Sequence, residues 1–146
     1  MDEPAVPISS SHTIVAGFGV PGRAVVEMLH TQNAPYCVIE LNPRTVERCE
    51  QFGEHIIEGD ARHSEVLIRA GIERATLLVI AIPDQAAALE VTRLARQMNP
   101  RAHIITRCHY ISAGLIAKAS GANEVVIAEQ VVAEELRALI LPHFKT

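Results

Sequence analysis

Three glycines carry the first chemical signal in this chain. Gly17, Gly19 and Gly22 fall at the spacing G-x-G-x-x-G, directly after the apolar run Thr13–Ala16. Gly17 permits a tight turn out of a strand. Gly19, with no side chain, lets a diphosphate approach the backbone, and Gly22 lets the following helix pack close to its sheet. A helix that opens there points unpaired N–H groups and the positive end of its dipole at an anion. The triplet alone is equally compatible with a plain strand-to-helix turn. Glu40 tips the balance. It stands eighteen positions after Gly22, at the end of the run Tyr36–Ile39, where a carboxylate can take both hydroxyls of a ribose. An acid at that place repels a 2′-phosphate, which favours NAD(H), AMP, ADP or ATP over NADP(H). Arg44 is the counterweight, since an arginine nearby can accept that phosphate; a surface position on the next helix is the preferred reading.

The remaining candidates are less specific. Asp60 follows a glycine and precedes a helix, so a ligand contact competes with a turn or N-cap role. Arg107, Cys108 and His109 end the fifth apolar segment. For Arg107, reach toward an anionic ligand competes with simple surface placement. Cys108 and His109 are adjacent on a strand and so point to opposite faces, which argues against a thiolate–imidazole pair. The histidines are scattered, and neither H-E-x-x-H, nor a Cys/His cluster, nor G-x-S-x-G occurs, so no metal or catalytic motif is expected.

The elements that position these residues alternate regularly. Strands are expected at Thr13–Ala16, Tyr36–Glu40, His55–Glu58, Thr76–Ala81, His103–Arg107 and Glu124–Ile127. Helices are expected at Pro21–Gln32, Pro43 to about Phe52, Ser64–Ala70, Asp84–Met98, Ser112–Ser120 and Glu129 to about Leu141. Gly53, Gly71 and Gly121 read as helix stops, Asn42 and Asp84 as caps. Six alternations make one α/β domain, a Rossmann-like doubly wound parallel sheet. Right-handed crossovers then bring the glycine turn, Glu40, Asp60 and the Ile82–Asp84 loop to one edge. Residues 1–11, acidic and rich in proline and serine, read as a flexible tail without a signal-peptide core. Residues 12–141 form the domain, and 142–146 a C-terminal tail.

Bulk properties agree. The chain of 146 residues is 49% hydrophobic but only 3% aromatic, so Ala, Val, Ile and Leu must fill the core, as in a sheet buried on both faces. The formal net charge of −4 and the lack of a basic run argue against nucleic-acid binding. The longest apolar run, Leu77–Ile82, is far short of the ~20 residues that span a bilayer, so direct membrane insertion is not expected. Three cysteines without C-x-x-C spacing suggest buried thiols in a reducing compartment.

Taken together, G-F-G-V-P-G, V-I-E-L-N-P, E-G-D-A-R-H-S-E-V-L-I-R-A-G-I and L-L-V-I-A-I-P-D resemble the TrkA-N, or RCK (KTN), domain of bacterial potassium channels and transporters. T-R-C-H-Y and G-A-N-E-V-V-I continue the resemblance, which covers His12–Leu141. The P-D-Q-A-A-A-L-E and R-C-H-Y segments look most like the C-terminal domains of Kef-type cation/proton antiporters. The resemblance implies a regulatory domain and not an enzyme. It implies binding of NAD(H) or an adenine nucleotide (AMP, ADP or ATP), a homodimer, and transmission of ligand state to a membrane-embedded potassium or cation transporter from the cytoplasmic face of the cell membrane. Matched by position, Gly17, Gly19 and Gly22, with Phe18 and Val20 between them, would hold phosphates, and Glu40 the ribose. Asp60 and Ala61 would flank the adenine, Ala81 and Pro83 would line the far side, and Arg107 would meet an anionic or glutathione-like effector at a dimer seam.

Two departures stand out. Relatives often carry an arginine in the glycine loop where this chain has Val20; Arg23 is the candidate to compensate. Many relatives also append a second ligand-binding lobe, absent after Thr146. The last helix bears Val131, Val132, Leu136, Leu139 and Ile140 around more than one stripe, which a dimer contact explains better than packing on its own sheet alone. A small NAD-dependent oxidoreductase is the alternative, and would need a substrate pocket and a proton donor beside the nicotinamide. A plain dimerisation domain with a disused pocket is the third reading.

Overall fold

The computed structural model describes residues 10–50 and 55–145. The expected tail lies outside these residues over positions 1–9, as do the expected end of the second helix near Phe52 and its stop at Gly53. Strands β1 (Thr13–Ala16), β2 (Tyr36–Glu40), β3 (Ile56–Glu58), β4 (Leu77–Ile80), β5 (His103–Cys108) and β6 (Glu124–Ile127) alternate with helices α1 (Val20–Thr31), α2 (Pro43–Glu50), α3 (Ser64–Ala70), α4 (Gln85–Met98), α5 (Ile111–Ser120) and α6 (Ala128–Ile140). Boundaries differ from the expected ones by a residue or two, and a short 3-10 turn, Leu141–His143, continues α6.

The strands form one parallel sheet in the order β3-β2-β1-β4-β5-β6. β1 is central, with Thr13 in register with both Tyr36 and Leu77. Strand order reverses between β1 and β4, and such a reversal opens a crevice beyond the carboxyl ends of those two strands.

Successive residues on each strand serve opposite faces. Ile14, Ile39, Leu78, Ile80 and Ile104 pack with Leu67, Val91 and Ala117 of α3, α4 and α5. Val15 and Val38 pack on the other face with Val26, Leu29 and Cys49 of α1 and α2. Each large side chain so buried contributes roughly 1.5–3 kcal/mol. Cys37, Cys49 and Cys108 are all buried free thiols, and burial pushes the Cys37 and Cys108 thiols up from their ordinary pKa.

Local chemistry sets the element ends. Asp84 Oδ1 accepts from Ala87 N–H at 2.8 Å and caps α4. Asn42 Oδ1 accepts from Arg44 N–H at 3.0 Å at the start of α2. Gly71 ends α3 in the left-handed region, at φ 90°. Buried Asn99 ends α4 and joins three segments: its Nδ2 donates to Ile72 O (2.8 Å) and Ala75 O (2.9 Å), and its Oδ1 accepts from Arg101 and Ala102 N–H (2.9 and 3.0 Å).

One part of the sheet is uneven. On the α1 side, helix packing serves β1, β2 and β3. Leu77, Val79, Ile105 and Val126 alternate onto that same side, and they stay partly or largely exposed. α6 does not cover them. None of its residues is buried, and Val131, Val132, Leu136, Leu139 and Ile140 are all exposed.

Candidate functional site

The glycine turn follows β1 without a gap. Gly17 has φ 100°, a conformation that favours glycine, and a Cβ there would lie 3.0 Å from the Ala81 backbone. Its N–H donates to Ile39 O at 2.8 Å, which ties the turn to the end of β2. At Gly22 a Cβ would fall 1.9 Å from Gly17 O, so α1 crosses β1 closer than any side chain allows. Gly19 is the opposite case: a Cβ there would meet nothing within 4 Å. It is the N-cap of α1, and no side chain caps that helix. Pro21 has no N–H, so Val20 and Gly22 carry the first two amides of α1, and no side chain caps them, the arrangement of an anion site at a helix start.

Glu40 sits against this turn. Its Oε1 accepts from Phe18 N–H at 3.0 Å and its Oε2 from Asn42 N–H at 2.9 Å. The acid thus holds the glycine loop to the β2–α2 loop, and each oxygen keeps a further lone pair for a ligand hydroxyl. Beside it opens a cleft of about 440 Å³, lined among others by Gly17, Ile39, Glu40, Leu41, Asp60, Ala61, Arg62, Ile82, Pro83 and Asp84. The volume falls in the range of small-molecule sites. Most of the wall is apolar, and the polar groups stand at the loop ends.

Of the residues expected from sequence, the fold brings Gly17, Glu40, Asp60, Ala61 and Pro83 together around this cleft. Gly19 and Gly22 shape the adjoining helix start. Phe18 contributes its N–H only, because its ring is buried in the core with Val26 and Leu29. Val20 is 86% exposed beside the turn. Arg23 pairs with Glu27 at 3.2 Å, one turn along α1, and lines a separate hollow with His30 and Tyr36. Ala81 is buried behind Gly17, its N–H donating to Ala16 O. Arg107 lies on β5, in register with Val126, outside the cleft.

Arg62 is not among the residues expected at the site, and His109 is weighed in the sequence only as a partner for Cys108. Arg62 binds Asp60 through Nε (3.0 Å to Oδ1) and Nη2 (2.7 Å to Oδ2), while its own N–H donates to Oδ1 at 2.9 Å. The Arg62 hydrogen bonds hold the Asp60 carboxyl below the usual carboxylate range. The Asp-x-Arg spacing in a glycine-led loop was the available signal. The other residue is His109. Its Nε2–H donates to Pro83 O at 2.6 Å, its N–H donates to Gln85 Oε1 at 2.7 Å, and its carbonyl accepts from Glu129 N–H at 3.3 Å. It therefore bonds both the cleft wall and the first turn of α6.

A doubly wound sheet with a bare helix start after β1 and a carboxylate at the end of the neighbouring β2 defines the Rossmann-like class. Within it, the TrkA-N domain family matches residues 13–128, and this chain belongs to that family. YbaL of Escherichia coli (strain K12), named as a cation/proton antiporter, is 30% identical over 140 residues, covering 95% of this chain and 25% of YbaL. The crystal structure of the YbaL TrkA-N domain matches with a TM-score of 0.85 at 30% identity, over 90% of this chain and 97% of that one. KefB of Alkalimonas amylolytica, named as a K(+) efflux antiporter, is 31% identical over 115 residues, 79% of this chain and 17% of KefB. The Shewanella denitrificans Kef C-terminal domain in its AMP-bound form matches with a TM-score of 0.76 at 26% identity, over 92% of this chain and 83% of that one. The chain spans a quarter or less of the length of both antiporters. No helix among the described residues is long and apolar enough to cross a membrane.

Proposed function

We propose that this domain senses an adenine nucleotide, NAD(H) or AMP, ADP or ATP, for a potassium or other cation/proton transport system. The start of α1, without a side-chain cap, beside the Glu40-tethered glycine turn and a cleft of about 440 Å³, is the observation that carries it. Phosphates would rest on the first amides of α1, ribose hydroxyls on Glu40, and the base between Ala61 and Pro83. The AMP-bound state of the Kef domain supports an adenine ligand.

A sensing role fits the cleft better than an enzymatic one. Its three acids are all engaged in holding structure: Glu40 on two backbone amides, Asp60 on Arg62, and Asp84 on the start of α4. None stands as an uncommitted proton donor. The output would pass through a homodimer formed with α6, whose apolar residues are exposed, to a transporter at the inner face of the cell membrane. His109, bonded to both the cleft wall and α6, is the link between occupancy and assembly. A ligand shifts such an equilibrium only by its differential affinity for the two arrangements. In this reading residues 12–141 act as the sensing unit, and Arg107, outside the cleft, is left to a second anionic effector at the seam.

A thermal-shift panel with AMP, ADP, ATP, NAD, NADH and NADPH tests this. A ligand at a hundred times its Kd stabilises the fold by about 2.7 kcal/mol. A shift with at least one adenine nucleotide is expected, with NADPH weaker than NADH. No shift with any of them overturns the proposal, and turnover of NADH with small carbonyl compounds would replace it by an oxidoreductase.

A further inference from the structure

We infer that Arg62 is a ligand-binding residue of the base subsite, stacking the flat face of its guanidinium on the purine. The inference rests on the adenine-nucleotide reading above and adds a residue and a geometry to it.

The arrangement around Arg62 is unusual for a loop arginine. Asp60 takes the Nε/Nη2 edge in a two-pronged pair, and the Arg62 amide caps the same carboxylate. The loop and its side chain are therefore locked as one unit, and the fork loses little further entropy on binding. No other side chain among the described residues is hydrogen-bonded to Arg62, and its side chain is 43% exposed. Among the described residues that line the cleft it is the only cation. The wall it shares is apolar, with Ile39, Leu41, Ile82 and Ala87. A flat, delocalised cation facing an apolar slot suits an aromatic base, which it attracts through the ring face.

Position argues for the base and against the phosphates. The amides that would hold phosphate follow β1, whereas Arg62 follows β3, two strands away. At strand spacings of about 4.8 Å that separation is roughly 10 Å, the reach from phosphate across a ribose to its base. Asp60, which the family resemblance sets beside the adenine, also positions Arg62.

Calorimetric titration of adenosine, AMP and ADP into the full chain, Arg62→Ala and Arg62→Lys separates the possibilities. Because Arg62 is exposed, both variants should melt near the parent temperature without ligand. Stacking predicts a loss of about tenfold for all three ligands in Arg62→Ala, and little rescue by lysine, which keeps the charge but not the plane. Unchanged affinity in Arg62→Ala overturns the inference while leaving the nucleotide reading intact. A loss confined to ADP, or full rescue by lysine, shows a point-charge contact with phosphate and overturns it equally. If the parent chain binds none of the three, the base subsite falls together with the reading beneath it.

Discussion

At Gly22 one methyl group decides whether the chain can make its first crossover. A Cβ there would fall 1.9 Å from Gly17 O, and backbone cannot yield as a flexible side chain does. Gly22→Ala should therefore destabilise the fold at or beyond the roughly 3 kcal/mol upper end of overpacking, read as a lower urea midpoint with an unchanged slope. Gly19→Asp should behave differently. Gly19 is already extended, at φ −78° and ψ −165°, with open space where a side chain would go, and aspartate is a good N-cap. The variant should fold at least as well as the parent and lose nucleotide binding, because its carboxylate occupies the anion position. Parent affinity measured by calorimetry on that variant would remove the phosphate assignment. The turn at Gly17 and the close approach at Gly22 follow the expected spacing. Arg62 was not legible in the sequence, because an arginine two residues after an acid reads as a solvated loop charge until the fold places both on a cleft. Arg23, one step past the glycine turn, extends along α1 to Glu27.

Among the elements, alternation and stop signals carried most of the information. Gly71 and Asp84 could be read as stop and cap because each acts within a few residues of itself. Asn99 could be read only as the end of α4. Its larger part, joining the α4 end to the segment that enters β4, depends on contacts across more than twenty positions of sequence. Asn99→Ala removes four hydrogen bonds; Ile72 O keeps its bond from Ala75 N–H and Arg101 lies at the surface, but Ala75 O and the Ala102 N–H lose this partner in a buried place. At about 1–3 kcal/mol for each of these two groups that finds no water, the loss should reach ~2 kcal/mol or more in chemical denaturation. A change below 1 kcal/mol would show that water replaces the side chain. Arg107 illustrates the limit of strand counting: its strand was foreseen, but only the sheet order places β5 one strand beyond the crevice.

For the molecule as a whole, the apolar spread on α6 was visible in sequence, and the structure shows those residues exposed. What covers them was not visible, since a helix pattern records the width of an apolar face and not whose surface it meets. If α6 is the seam, Leu136→Asp should leave the α/β core folded, as read by circular dichroism, and shift the chain to monomer in sedimentation. A persistent dimer in that variant would move the seam elsewhere.

The sheet strands on the α1 side beyond β1 have a further consequence. Leu77, Val79, Ile105 and Val126 leave half of one layer incompletely roofed, and all-parallel sheets are rarely stable with a wet face. Should a second copy supply that roof, tertiary and quaternary structure share one equilibrium, and mass action governs both. The melting temperature should then climb with protein concentration, and strong dilution should loosen β5 and β6 before the glycine-turn half.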